Sequence, residues 1–113
     1  MQMNGLNVMI TISKYWKQWS DPRLIVMVLN NRDLNQVTWE ERIQLGEGKT
    51  ESTQSSPDFP YSKYAELLGL KGIFVCDPEK LGLAWEEALT ADRPVIMACY
   101  TDPNVPPCRR TSR

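Results

Sequence analysis

At 113 residues the chain is long enough for one domain with a core of its own and short for two. Its formal net charge of −1, with 42% apolar and 24% charged residues, points to neither nucleic acid nor an anionic membrane as a partner. Histidine is absent, which excludes Ser-His-Asp and Cys-His catalysis and the common zinc sites. Chemistry is left to carboxylates, amides, main-chain groups or a borrowed cofactor. Cys76, Cys99 and Cys108 are odd in number and lack zinc-type spacing, so they read as buried, reduced thiols on two strands and a tail. The apolar run 24–29 is far too short to span a bilayer, and the N-terminus lacks a basic-then-apolar signal pattern. The expected compartment is the cytoplasm.

In chain order, "NGLNVMITISKYWKQW" puts Leu6, Met9, Ile10, Ser13 and Trp16 on one helical face, and Pro22 breaks the pattern. "LIVMVL" is apolar at every position and suits a strand buried on both sides in a parallel sheet. After Asn30 and Asn31, residues Leu34–Ile43 read as a helix. "GEGKTESTQSSPD" has no period and reads as an exposed loop. "PYSKYAELLG" places Tyr61, Tyr64, Ala65 and Leu68 on one stripe and stops at Gly69. "GIFVC" is a short strand. Asp77 is a candidate N-cap with Pro78 at the first helical position, ahead of a helix whose apolar face is Leu81, Ala84, Trp85, Ala88 and Leu89. "PVIMACY" is a last strand and "TDPNVPP" an extended exit. Strands separated by helices predict an α/β fold in three layers, a parallel sheet with helices on both faces. Three strands make a thin sheet of this kind, as if part of something larger.

In open parallel sheets ligands bind beyond the carboxyl ends of the strands, where Asn30 and Asn31 fall. The helix opening just after them offers free N–H groups and a positive dipole end to a phosphate. An Asn side-chain carbonyl with a nearby main-chain carbonyl would suit Mg²⁺, whose other ligands are phosphate oxygens. On position alone the plainer alternative stands beside this: Asn31 turns the chain and caps the helix.

The span Met1–Pro107 resembles the C-terminal, cofactor-binding domain of thiamine diphosphate-dependent enzymes of the acetolactate synthase and pyruvate oxidase type. "MQMNGLNVMITISKYW" looks like the helix that follows that family's Gly-Asp-Gly motif, and "VLNNRDLNQVTWE" like its Asn-pair segment. "FPYSKYAELLGLKGIFVCDPEKLGLAWEEALTADRPVIMACYTDPNVPP" resembles the family's closing helix–strand–helix–strand.

The resemblance implies that Asn31 gives its side-chain oxygen to Mg²⁺ and Asp33 its main-chain carbonyl. Leu34 and Asn35 would bring N–H groups to the diphosphate. Asn35 stands where relatives commonly have Gly, and Asn tolerates a left-handed backbone. Asn30 would end the strand and support the loop. No Gly-Asp-Gly precedes these elements, so the one carboxylate of the family's metal site is missing. The expectation is a fragment, truncated or read from a misplaced start, that anchors thiamine diphosphate and is inactive alone. No catalytic residue is assigned to it. The whole enzyme would act on 2-oxo acids, as a homo-oligomer or with the domains absent here.

The rival from another class is a non-catalytic α/β interaction module, or an inactive remnant, with an exposed strand edge that invites aggregation. Glu40–Glu41 and Glu86–Glu87 are adjacent on helices and form no dyad. Trp16, Trp19, Trp39 and Trp85 read as packing residues, not a binding strip. Residues 108–113 read as a disordered tail.

Overall fold

The computed structural model describes residues 5–46 and 48–106, so Cys108 and the tail fall outside the described residues. The elements are α1 (Leu6–Tyr15), β1 (Ile25–Asn30), α2 (Asn35–Leu45), α3 (Glu51–Gln54), α4 (Tyr61–Leu67), β2 (Lys71–Val75), α5 (Leu81–Leu89) and β3 (Val95–Tyr100). The three strands form one sheet in the order β1-β3-β2. β2 and β3 pair in parallel from Lys71↔Val95 to Val75↔Cys99. β1 runs beside β3 in the same sense, with Val95 N donating to Leu24 O at 2.8 Å. The fold is α/β, as the alternation of strands and helices predicts. No described helix is long and apolar enough to cross a membrane.

The described residues divide into two compact units: 5–29 with 59–100, and 30–58 with 101–106. The first holds the sheet. On one of its faces Met9 of α1 and Tyr61 and Ala65 of α4 pack with Val28, Ile96 and Ala98. On the other, Ala84 and Ala88 of α5 pack with Ile73, Val75, Val95, Met97 and Cys99. Alternate residues of β3 thus enter opposite clusters, as the two-residue strand period requires.

Local chemistry explains the boundaries. α4 ends in a Schellman turn: Leu70 N donates to Ala65 O and Gly69 N to Glu66 O, both at 3.0 Å, with Gly69 at φ +73. Asp77 caps a 3₁₀ turn at Pro78–Lys80 through its Oδ1 and Glu79 N, and α5 follows directly. Gly72 of β2 lies so close under α4 that a Cβ there would fall on the Ser62 carbonyl oxygen, inside van der Waals contact.

Several expectations need correction. β1, the most apolar run, is an edge strand with one covered face; Leu29 is 64% exposed and Met27 41%. The strand buried on both sides is β3, because it alone has a neighbour on each edge. On α1 the packed residue is Ile12, while Ile10 faces solvent. On α5 only Ala84 and Ala88 are buried; Leu81, Trp85 and Leu89 are exposed. Trp16 packs on the core, but Trp19 and Trp85 are exposed. Cys99 is buried, and burial pushes its thiol up, but Cys76, one residue past β2, is exposed.

Gly72→Ala should lower unfolding stability by about 1–3 kcal/mol, since the added methyl has no room. Gly82→Ala on α5, where a Cβ meets nothing within 4 Å, should raise it by about 0.4–1 kcal/mol. Urea midpoints of the two variants check the pair; equal effects would mean α4 yields freely.

Candidate functional site

Among the described residues, every buried hydrophobic residue belongs to the first unit, and every buried polar one to the second: Asn30, Asp33, Asn35, Thr38 and Gln54. Residues 30–58 and 101–106 are therefore held by hydrogen bonds and ion pairs, each of which fixes a direction. That is where the candidate site residues fall.

Asn30, the last residue of β1, ties the base of this unit. Its Nδ2 donates to Asp58 Oδ1 at 3.0 Å and its Oδ1 accepts from Arg32 N at 3.3 Å. Its main-chain oxygen accepts from Thr101 N at 3.1 Å. Asn31 makes an Asx turn, its Oδ1 accepting from Asp33 N at 3.1 Å. Between them Arg32 adopts φ 56, the one left-handed non-glycine among the described residues. The left-handed position is thus Arg32, not Asn35. Asn35 is the first residue of α2, and its Nδ2 donates to Pro103 O at 2.5 Å. Trp39 Nε1 reaches the same oxygen at 3.4 Å, and the Arg42 guanidinium lies 4.5 Å from the Trp39 ring centre.

The expected exposed loop at 46–58 is instead built. It contains α3, and Asp33 pairs with Ser55 in an antiparallel bridge. Around that bridge Leu34 N donates to Gln54 O at 2.7 Å and Ser56 N to Arg32 O at 2.9 Å. Gln54, 1% exposed, accepts from Thr50 N at 2.8 Å and donates from Nε2 to Glu41. The bonds that tie 50–56 to the rest of the unit, through Gln54 O, Ser56 N and Gln54 Nε2, run to residues 13 or more positions away, which no periodic pattern marks.

Asp33 carries the charge of the site. Its side chain is 1% exposed, its Oδ1 accepts from Thr38 Oγ1 at 2.7 Å, and Lys49 Nζ lies 2.6 Å from its Oδ2. Oδ2 takes no hydrogen bond of good geometry, so the Lys49 charge is what compensates it. The Asp33 carboxylate beside its ammonium raises the Lys49 pKa against opposing desolvation. Glu51, 3.4 Å from Lys49, is held below its ordinary value, the Ser55 hydroxyl being the largest cause.

Four of the residues singled out from sequence, Asn31, Asp33, Leu34 and Asn35, therefore lie along one continuous turn leading into α2. Lys49, Thr38, Gln54 and Glu41 were missed. Lys49 reaches back to Asp33 and Gln54 to Glu41 across the chain, while Thr38 bonds Asp33 from the first turn of α2, and nothing in their spacing announces these pairings. At the mouth of α2 no side chain caps the helix: Leu34, an apolar residue, holds the N-cap position. Its first-turn N–H groups have no partner within the helix by construction.

These features define an α/β domain whose first strand passes through an Asx turn into an uncapped helix N-terminus, an arrangement suited to an anion such as phosphate. The model of the family "Thiamine pyrophosphate enzyme, C-terminal TPP binding domain" matches residues 1–99, and the chain belongs to that family. It is 32% identical over 74 residues to YdaP of Bacillus subtilis strain 168, a protein provisionally named as thiamine pyrophosphate-containing. That match covers 66% of this chain and 12% of the relative. Identity is 31% over 81 residues to the mitochondrial acetolactate synthase catalytic subunits of Aspergillus candidus and Saccharomyces cerevisiae. Those matches cover 72% of this chain and 11% and 12% of the relatives, respectively. The chain thus spans only about an eighth of the length of the curated relatives it matches. No solved structure matches it.

The residues present fit the two parts of the family's cofactor assembly unequally. The uncapped first turn of α2 fits a diphosphate. A magnesium ion fits poorly. Mg²⁺ is usually held by one or two carboxylates together with phosphates and water. The turn's own carboxylate, Asp33, is already committed to Lys49 and Thr38. Among the described residues no group of three metal-ligating side chains of the His, Cys, Asp or Glu type comes together.

Asn30→Ala removes the hydrogen bonds to Asp58 and Arg32 and should destabilise the second unit by about 1–3 kcal/mol. Faster amide exchange at Arg32 and Asp33, with strand β3 amides unchanged, is the expected signature. Uniform acceleration across both units would contradict it.

Proposed function

We propose that the chain is the diphosphate-anchoring part of a larger thiamine diphosphate-dependent enzyme that acts on 2-oxo acids, of the acetolactate synthase kind. The observation that carries this is the uncapped start of α2, reached directly from the Asn31 turn, in a chain of this family. In this reading the N–H groups of Leu34, Asn35 and the rest of the first turn receive the diphosphate. The Leu34 N–H is engaged by Gln54 O and must be released to do so. Asn31 Oδ1 keeps a second lone pair beside its Asx bond, and with the Asp33 main-chain carbonyl it would be all the turn could offer a magnesium ion carried in by the phosphates. Both oxygens are neutral, so the ion's hold on the protein is weak and the diphosphate's hold rests mainly on the helix.

When bound, such a cofactor supplies a nucleophilic carbon and a sink for the electron pair left by decarboxylation. This chain's share is to fix the diphosphate end; the groups that contact substrate belong to the rest of the enzyme. The exposed apolar residues Met27 and Leu29 of β1 and Leu83, Trp85 and Leu89 of α5 support the view that further protein packs on it. The same exposure favours the second reading, a non-catalytic interaction module.

Calorimetry with thiamine diphosphate separates the two. Binding should be detectable, should weaken about tenfold or more in Asn31→Ala, and should change little when Mg²⁺ is replaced by EDTA. Binding that Asn31→Ala leaves intact would refute the site, and no binding by either protein would favour the interaction module.

A further inference from the structure

Lys49 plays no part in the cofactor reading, yet its ammonium sits at the most enclosed charge of the second unit. It lies 2.6 Å from Asp33 Oδ2 and 3.4 Å from Glu51 Oε2, between two carboxylates. Asp33 is buried to 1% while the Lys49 side chain keeps 25% of its surface in water. A carboxylate so enclosed needs an opposite charge beside it. The pair also joins two pieces of chain. The turn at 31–34 is held to residues 54–56 by the bridge at Asp33↔Ser55 and its two flanking main-chain bonds.

We infer that Lys49 is the positioning cation of the Asn turn, a tethered ammonium occupying the place between Asp33 and Glu51 that a hard divalent ion would otherwise take. The turn is closed by the protein's own charge, with no ion required. Removing the ammonium leaves Asp33 Oδ2 and Glu51 Oε2 converging on a vacated position. Both are oxygen ligands of the kind Mg²⁺ or Mn²⁺ accepts. Lys49 therefore masks a latent cation site, and the inference stands whether or not the chain anchors thiamine diphosphate.

Amide exchange at Leu34 and Ser56, whose N–H groups bridge the two segments, reads the closure directly. In the full chain in EDTA, both amides should be protected, and adding Mn²⁺ should change neither. In Lys49→Met they should exchange about tenfold faster or more, while Lys49→Arg should stay near the parent. Mn²⁺, followed by water-proton relaxation, should bind Lys49→Met more tightly than the parent and restore slow exchange. Asp33→Asn added to Lys49→Met should abolish both gains. Protection in the parent that appears only with Mn²⁺, or Lys49→Met exchange at the parent's rate, would overturn the inference. Should Lys49→Met fail to fold, the parent's exchange with and without Mn²⁺ and the Lys49→Arg result still decide it. No thiamine diphosphate is used, so failure here is distinct from failure of the cofactor reading.

Discussion

The described residues of 30–58 and 101–106 bury only polar side chains, and the arrangement of the candidate site follows from the need to satisfy them. An apolar cluster tolerates small slides at little cost, but a buried amide or carboxylate without a partner costs on the order of 1–3 kcal/mol. Asn30, Asp33, Asn35, Thr38 and Gln54 are buried together, so their hydrogen bonds and the charge on Asp33 select one closed arrangement. Asn30 secures its base, Asn31 and Arg32 bend the chain, and Gln54 and Lys49 fasten the turn to the segment that follows α2.

That design suits a site for an anion. The first helical residues are fixed by the turn's internal hydrogen bonds before any ligand arrives, so little ordering of their N–H groups remains to be done on binding, while the Leu34 N–H must first leave Gln54 O. It also sets a charge balance. The turn's one carboxylate is cancelled by Lys49, leaving neutral oxygens and the positive end of α2. Such a surface favours phosphate over a bare divalent ion. The sheet unit contributes differently, through its apolar clusters and close approaches such as that of the α4 backbone at Ser62 to Gly72, which leaves no room for even one methyl group.

Much of the fold was legible in the sequence because local chemistry decided it. The α4 stripe and its stop at Gly69, the Asp77–Pro78 cap and the last two strands all follow from residues close together in the chain. The layer assignments that failed depend on neighbours. "LIVMVL" is apolar enough for a central strand, yet its position at the sheet edge leaves Leu29 in solvent, and no pattern within six residues reports which strand has two neighbours. The α5 face narrowed to two alanines for the same reason. In the second unit, the turn residues Asn31, Asp33, Leu34 and Asn35 could be picked out, but Lys49 and Gln54 could not. A buried ion pair between distant positions leaves no periodic trace.

In the proposed role, the Asn31 turn and the start of α2 receive a diphosphate. The most direct test is to follow backbone amide chemical shifts of the full chain, residue by residue, as thiamine diphosphate is added. The largest changes should fall on Asn31 through Val37, with Leu34 moving furthest as its bond to Gln54 is exchanged for phosphate. Changes confined to α5 or the outer face of β1, with the turn unmoved, would contradict it.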